Sequence, residues 1–145
     1  MIIELIASAL GTVAFALLFG VPKEYYLSCG LIGAAGWLVY SLLLLFGAGA
    51  TFSIFIATVT VVLFSRFAAV HKKCPATVFL ITGIFPLLPG AKIYWAAYYL
   101  VTNQLSDFQS NGFAAIKAMV AIVLGIIFVF ELPHNFFHLS LRRRS

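Results

Sequence analysis

The sequence predicts an all-α, polytopic membrane helix bundle, and three observations carry that prediction. Apolar residues make up 63% of the 145 and charged residues only 9%, against about 45–50% and about 25% in a soluble domain. A globule this small cannot bury such an excess, because its surface has to remain largely polar. The few charges punctuate long uncharged runs. No stretch of about ten residues alternates as the strands of a membrane barrel do, so helices are the spanning elements. This balance excludes a cytosolic enzyme, a nucleic-acid binder and a disordered tail. Nine cations spread among apolar runs make no stripe for phosphate.

A crossing helix needs about 20 residues, so about five spans and their turns account for residues 1–145 as one transmembrane domain. The first span is set at 3–20, within the uncharged run from Leu5 to Pro22. It has no positive leading segment, carries Glu4 and shows no small-residue cleavage site, so it reads as a retained helix rather than a signal peptide. The run from Tyr25 to Ser65 is too long for one span and right for two, at 27–46 and 52–70. Gly47-Ala48-Gly49-Ala50-Thr51 joins them, since clustered glycines mark reversals. Arg66 to Lys73 closes the third span. A long fourth covers 76–101, a fifth covers 113–132, and a basic tail occupies 133–145.

Charge then sets the orientation, because cytoplasmic loops are enriched in Lys and Arg. Five crossings put Lys23, Lys72, Lys73 and the tail Arg142-Arg143-Arg144 on one side. Arg66 is expected to snorkel to that side. The other side receives the uncharged 47–51 turn and a 102–112 loop whose only charge is Asp107. The N-terminus is therefore expected outside and the C-terminus in the cytoplasm, across the cell's inner (plasma) membrane. A re-entrant fourth segment would strand the arginine tail outside, so residues 76–101 are expected to cross.

Constellations for enzyme chemistry are missing from the sequence. Cys29 and Cys74 have neither a C-x-x-C partner nor zinc spacing, and both lie toward the reducing face, which disfavours a disulfide. His134 and His138 share i, i+4 spacing, but no third ligand completes a metal site nearby. The segment around them reads as an amphipathic stretch at the headgroups. With no H-E-x-x-H, G-x-S-x-G, P-loop or intramembrane carboxylate, neither a catalytic residue, a metal nor a cofactor is expected.

The most informative stretch is Thr82-Gly83-Ile84-Phe85-Pro86-Leu87-Leu88-Pro89-Gly90-Ala91-Lys92-Ile93-Tyr94, within span four. Pro86 and Pro89 each remove a backbone donor, which should orphan the carbonyls of Thr82 and Phe85. Gly90 adds a flexible joint. Non-helical backbone at membrane depth is tolerated only inside protein or along a wet cavity, and broken helices recur at transporter sites. The second half-helix would start near Gly90 with free N–H groups and a positive dipole end, which suit an anion. Lys92 adds a full positive charge there. The plain alternative is a proline kink satisfied by neighbouring helices.

Lys117 lies one turn inside the outer end of span five, close enough to snorkel. Two lysines with no intramembrane acid nevertheless suggest a path for anionic groups. Tyr94, Trp95, Tyr98 and Tyr99 follow at helical spacing, as an interfacial aromatic belt or a pocket wall. Small residues form stripes for close helix packing: Ala114, Ala118, Ala121 and Gly125; Ala7 and Gly11; and Gly30, Gly33, Ala34 and Gly36. Five short helices barely enclose a solute path, so a homo-oligomer or a second subunit is expected in the bilayer.

Val21-Pro22, Gly33-Ala34-Ala35-Gly36-Trp37, Tyr40, Pro75 and the run Gly83-Ile84-Phe85-Pro86-Leu87-Leu88-Pro89-Gly90 with Tyr94 behind it occur in a telling order. That order resembles the second, smaller membrane module of the threonine/serine exporter (ThrE-like) family, over roughly residues 3–132. The resemblance implies a stand-alone small module working with a larger ThrE-like membrane subunit. It implies export of small polar carboxylates, either threonine/serine-type amino acids or dicarboxylates. It ties Pro86, Pro89, Gly90 and Tyr94 to the family motif. The roles of Lys92 and Lys117 rest on the physical argument alone. The expected function is therefore a secondary-transport subunit with a substrate site at Pro86, Pro89, Gly90, Lys92, Tyr94 and Lys117. The alternative is a non-catalytic subunit that braces a membrane complex.

Overall fold

Helix propensity and apolar runs dominate this chain so fully that every regular element is helical in the computed structural model, which describes residues 2–131. Six α-helices follow in order: α1 Ile2–Leu18, α2 Tyr26–Leu45, α3 Ala50–Lys72, α4 Ala76–Ile84, α5 Gly90–Val101 and α6 Leu105–Glu131. Single 3₁₀ turns at Lys23–Tyr25 and Phe85–Leu87 lead into α2 and out of α4. Three helices are long and apolar enough to cross a membrane: α2 with its leading turn, α3 and α6. A fourth crossing is possible through α4 and α5 together, which are bent by 54° at their break. At 17 residues, the apolar helix α1 falls below the ~20 of an upright crossing. The chain is an all-helical membrane protein.

The expected turns exist, and they close by one device. Gly47, at φ 80°, ends α2: its N–H bonds the carbonyl of Leu44 and the next N–H, of Ala48, bonds Leu43. This paired bonding uses up carbonyls that a helix C-terminus leaves orphaned, and the left-handed conformation at its centre suits glycine. Gly20 closes α1 in the same way.

Contacts fix the helix directions. Thr58 meets Gly125 and Arg66 meets Val129, so α3 and α6 run in the same direction. The short turns 46–49 and 73–75 set α2 and α4 antiparallel to α3. One end of the bundle thus carries Lys23, Glu24, Lys72 and Lys73, and the opposite end carries the 46–49 turn and the start of α6.

Midway along α3, four helices meet on two side chains. A Cβ on Gly36 of α2 would strike Val61 Cγ2, and one on Gly83 of α4 would come within 3.0 Å of Val61 Cγ1. A Cβ on Gly125 of α6 would come within 3.0 Å of Thr58 Cβ. Glycine at these sites lets the helix backbones close on α3, as small residues do in membrane bundles. Toward the charged end the interior is filled by Phe79, Ala69, Cys29 and Ala16, all buried. The buried hydroxyls of two threonines are satisfied within their own helices: Thr12 donates to Ser8 O at 2.8 Å and Thr58 to Ile54 O at 2.8 Å. Ser8 reaches across from α1 to the Gly33 carbonyl at 3.1 Å.

Three expectations need correction. The loop set at 102–112 shrinks to a turn at 102–104, and α6 starts at Leu105 rather than 113. The polar residues there mark water, not coil, and they support the helix: Asp107 sits in its first turn and Asn111 Nδ2 donates to the Asp107 carbonyl at 2.9 Å. Second, Arg66 does not snorkel. It is buried, with Nη1 donating to the Val129 carbonyl at 2.6 Å and the guanidinium 5.5 Å from the Phe130 ring centre. Residue 133 is proline and has no N–H to give the carbonyl four residues back, so the arginine supplies a donor that the helix lacks. Third, the Phe85 carbonyl is not orphaned, because the 3₁₀ turn brings it the Leu88 N–H at 3.2 Å. The 133–145 tail, with His134 and His138, lies outside the described residues.

Candidate functional site

The break between α4 and α5 is built by its two prolines. Pro86 sits in the first turn of the 3₁₀ segment, where its missing N–H does no harm. After Leu88 turns extended, at φ −63° and ψ 134°, Pro89 precedes the first residue of α5. Gly90 N–H folds back on the Leu88 carbonyl at 2.8 Å, and Ile93 N–H reaches the Pro89 carbonyl at 3.0 Å. The N–H groups of Ala91 and Lys92 lie ahead of that bond, at the positive end of α5. On its far side the break is braced by α1: Phe15 stacks on Phe85 with ring centres 3.8 Å apart, and Phe19 lies 5.5 Å away.

Beside the break lies a cavity of about 600 Å³. Pro86, Pro89, Gly90 and Lys92 line it from the break, and Lys117 lines it from α6. Five of the six residues expected at a site therefore share one hollow. Tyr94 does not line it and is 63% exposed. It lies two residues beyond Lys92, about 200° around a helix that turns 100° per residue. That rotation puts it with Trp95, 5.4 Å away between ring centres, in the outward aromatic cluster.

The remaining wall comes from residues that sequence reasoning did not assign to a site. Ser110, Phe113 and Ala114 join Lys117 in a continuous i, i+3, i+4, i+7 stripe on α6. That spacing was available in the sequence, but it was hidden by the expectation of a loop up to residue 112. From α2 come Trp37 and Tyr40, whose ring centres are 5.3 Å apart. The indole N–H of Trp37 is buried with no hydrogen-bond partner among the described residues. Ala50, Thr51 and Ile54 bring the first turn of α3 to the same hollow. Two helix N-termini, those of α3 and α5, thus face one space together with two lysines. Among the described lining residues none is acidic, and no His/Cys/Asp/Glu cluster suited to a metal occurs among the described residues.

An all-helical membrane bundle with a broken helix beside a cation-lined cavity has the architecture of a solute-transport protein. The family described as Threonine/Serine exporter, ThrE matches residues 4–131, and the chain belongs to that family. The assignment agrees with the resemblance carried by the Pro86-to-Gly90 run and makes this a component of an exporter. No solved structure matches the chain.

Proposed function

We propose that this chain is a subunit of a secondary transporter that exports small polar carboxylates, with Lys92, Lys117 and the α5 N-terminus recognising the carboxylate. One observation carries the reading: both lysines and two helix N-termini converge on a cavity with no acidic residue among its described lining. A lysine held near the membrane interior is costly unless it serves a polar partner, and helix N-termini favour anions. The same charge balance favours a dicarboxylate over zwitterionic threonine or serine, because an ammonium group would find two lysines and no carboxylate. Apolar Ile54, Leu87 and Phe113 supply the non-polar remainder of the wall.

The cavity is open at its rim, where Thr51, Gly90 and Ser110 are exposed. In this reading a larger ThrE-like subunit, or a further copy of the chain, covers that side and completes the path. The lysine-rich end faces the cytoplasm and the 46–49 turn faces outside. The test is efflux of a labelled four-carbon dicarboxylate from cells carrying the chain with its genomic membrane-protein neighbour. Lys92→Ala is expected to abolish efflux with membrane insertion intact. Wild-type efflux from that variant removes Lys92 from the site.

A further inference from the structure

The cavity is lined on α3 no deeper than Ile54 and on α6 no deeper than Lys117, and below it α2, α3 and α6 go on to pack with α4. One turn from Ile54 along α3 is Thr58, and Val61 follows three residues later. One turn from Tyr40 along α2 is Gly36, and four residues back from Leu87, through the 3₁₀ turn into α4, is Gly83. Each floor residue lies toward the lysine-rich end from its wall residue. Val61 fills the space with both branches, Cγ2 against Gly36 and Cγ1 against Gly83, and Thr58 closes on Gly125. Val61 and Thr58 are both wholly buried. Beyond this layer Phe79, Ala69, Cys29 and Ala16 are buried together, and at its far end Arg66 ties α3 to the α6 carbonyl of Val129.

We infer that the layer of Val61 and Thr58 against Gly36, Gly83 and Gly125 is the permeation barrier of the transporter, closed here toward the lysine-rich end. The inference rests on the transport reading for its purpose and adds the residues that separate the site from the opposite face. A glycine contact suits a gate. It presents no side chain to interlock, so two backbones seal when pressed together and part by a small translation. Val61 is the pin of the layer because one side chain closes two of the three contacts. Removing its branches opens the Gly36 side and loosens the Gly83 side, where Ile32 Cγ2 of α2 also packs. Adding a methyl at Gly36 fills the side that the Val61 Cγ2 leaves.

Accessibility labelling in membrane vesicles of both orientations tests this. The parent chain, expressed with its membrane neighbour, carries Cys29→Ala, Cys74→Ala and a reporter Ala114→Cys in the cavity wall. The probe is a charged, membrane-impermeant methanethiosulfonate reagent. Labelling is expected from the face with the 46–49 turn and to be slow from the lysine-rich face. Val61→Ala is expected to raise the slow rate about tenfold, the change that a barrier lowered by ~1.4 kcal/mol gives. Combining Gly36→Ala with Val61→Ala is expected to bring it back down. Equal labelling from both faces in the parent overturns the inference, as does a Val61→Ala rate that stays at the parent value. A double variant that leaks as much as Val61→Ala also overturns it, since that result reports general loosening. The labelling is independent of any solute, so loss of the carboxylate reading through Lys92→Ala leaves this result standing, and the reverse holds too.

Discussion

The two halves of the bundle, divided at Thr58 and Val61, share α2, α3 and α6 and have opposite interiors. Toward the lysine-rich end, Phe79, Ala69, Cys29 and Ala16 pack to closure and the cation Arg66 is buried with a carbonyl partner. Toward the other end, the walls part around a cavity of about 600 Å³ and the cations Lys92 and Lys117 stay exposed along it. The difference is made by backbone, not by composition. On the closed side, the helices approach α3 through glycines. On the hollow side the Pro86–Pro89 break swings α5 away by 54°, so that α5 packs on α6 and scarcely on the rest of the bundle. The lesson is that a cation's role in this protein follows from whether its half is filled: Arg66 holds a helix end, while the lysines face a space that a solute can enter.

That contrast can be broken in graded ways. The largest effect is expected from removing both cations of the hollow half. Lys92→Ala with Lys117→Ala should reduce dicarboxylate efflux by about 100-fold or more, since a charge-assisted hydrogen bond contributes ~1.5–3 kcal/mol and each 1.4 kcal/mol is tenfold. Folding should persist, because both side chains are exposed, and detergent-solubilised protein should melt as wild type does. The converse is expected from Arg66→Met. It leaves the Val129 carbonyl without its arginine donor and should destabilise the bundle by ~1–3 kcal/mol, read as a lower melting temperature in detergent.

Gly125→Val probes the packed seam itself. Its added atoms meet Thr58 and the Phe55 carbonyl, and overpacking of this kind typically costs ~1–3 kcal/mol, measured by the same melt. The smallest effect is expected from Tyr94→Ala. Tyr94 is exposed and outside the cavity, so stability should change by no more than about 0.5 kcal/mol and efflux should stay near the wild-type rate. A large efflux defect with the protein inserted would mean that the aromatic cluster on α5 belongs to the solute path.

Much of this architecture is legible in the sequence, for physical reasons. Uncharged runs bounded by Lys23, Arg66 to Lys73 and Asp107 report where water begins, and the glycines at 47 and 49 report a reversal. The break is equally visible, because Pro86 and Pro89 forbid a regular helix wherever they occur. Other features were out of reach because they depend on what comes near in space. Arg66 looks like a boundary charge until α6 brings it a carbonyl. Gly36, Gly83 and Gly125 look like unrelated small residues until all three close on one turn of α3. Tyr94 is expected at the site from its place behind the Pro86-to-Gly90 run, yet helix rotation carries it out of the cavity.

The central claim is that the hollow half is an anion site, and the most direct test compares two solutes in one assay. Cells carrying the chain with its membrane neighbour are preloaded with labelled threonine and a labelled four-carbon dicarboxylate, and efflux is followed for wild type and Lys92→Ala. Faster dicarboxylate efflux is expected from wild type, with its loss in Lys92→Ala. Preferential threonine efflux that persists in Lys92→Ala would contradict it.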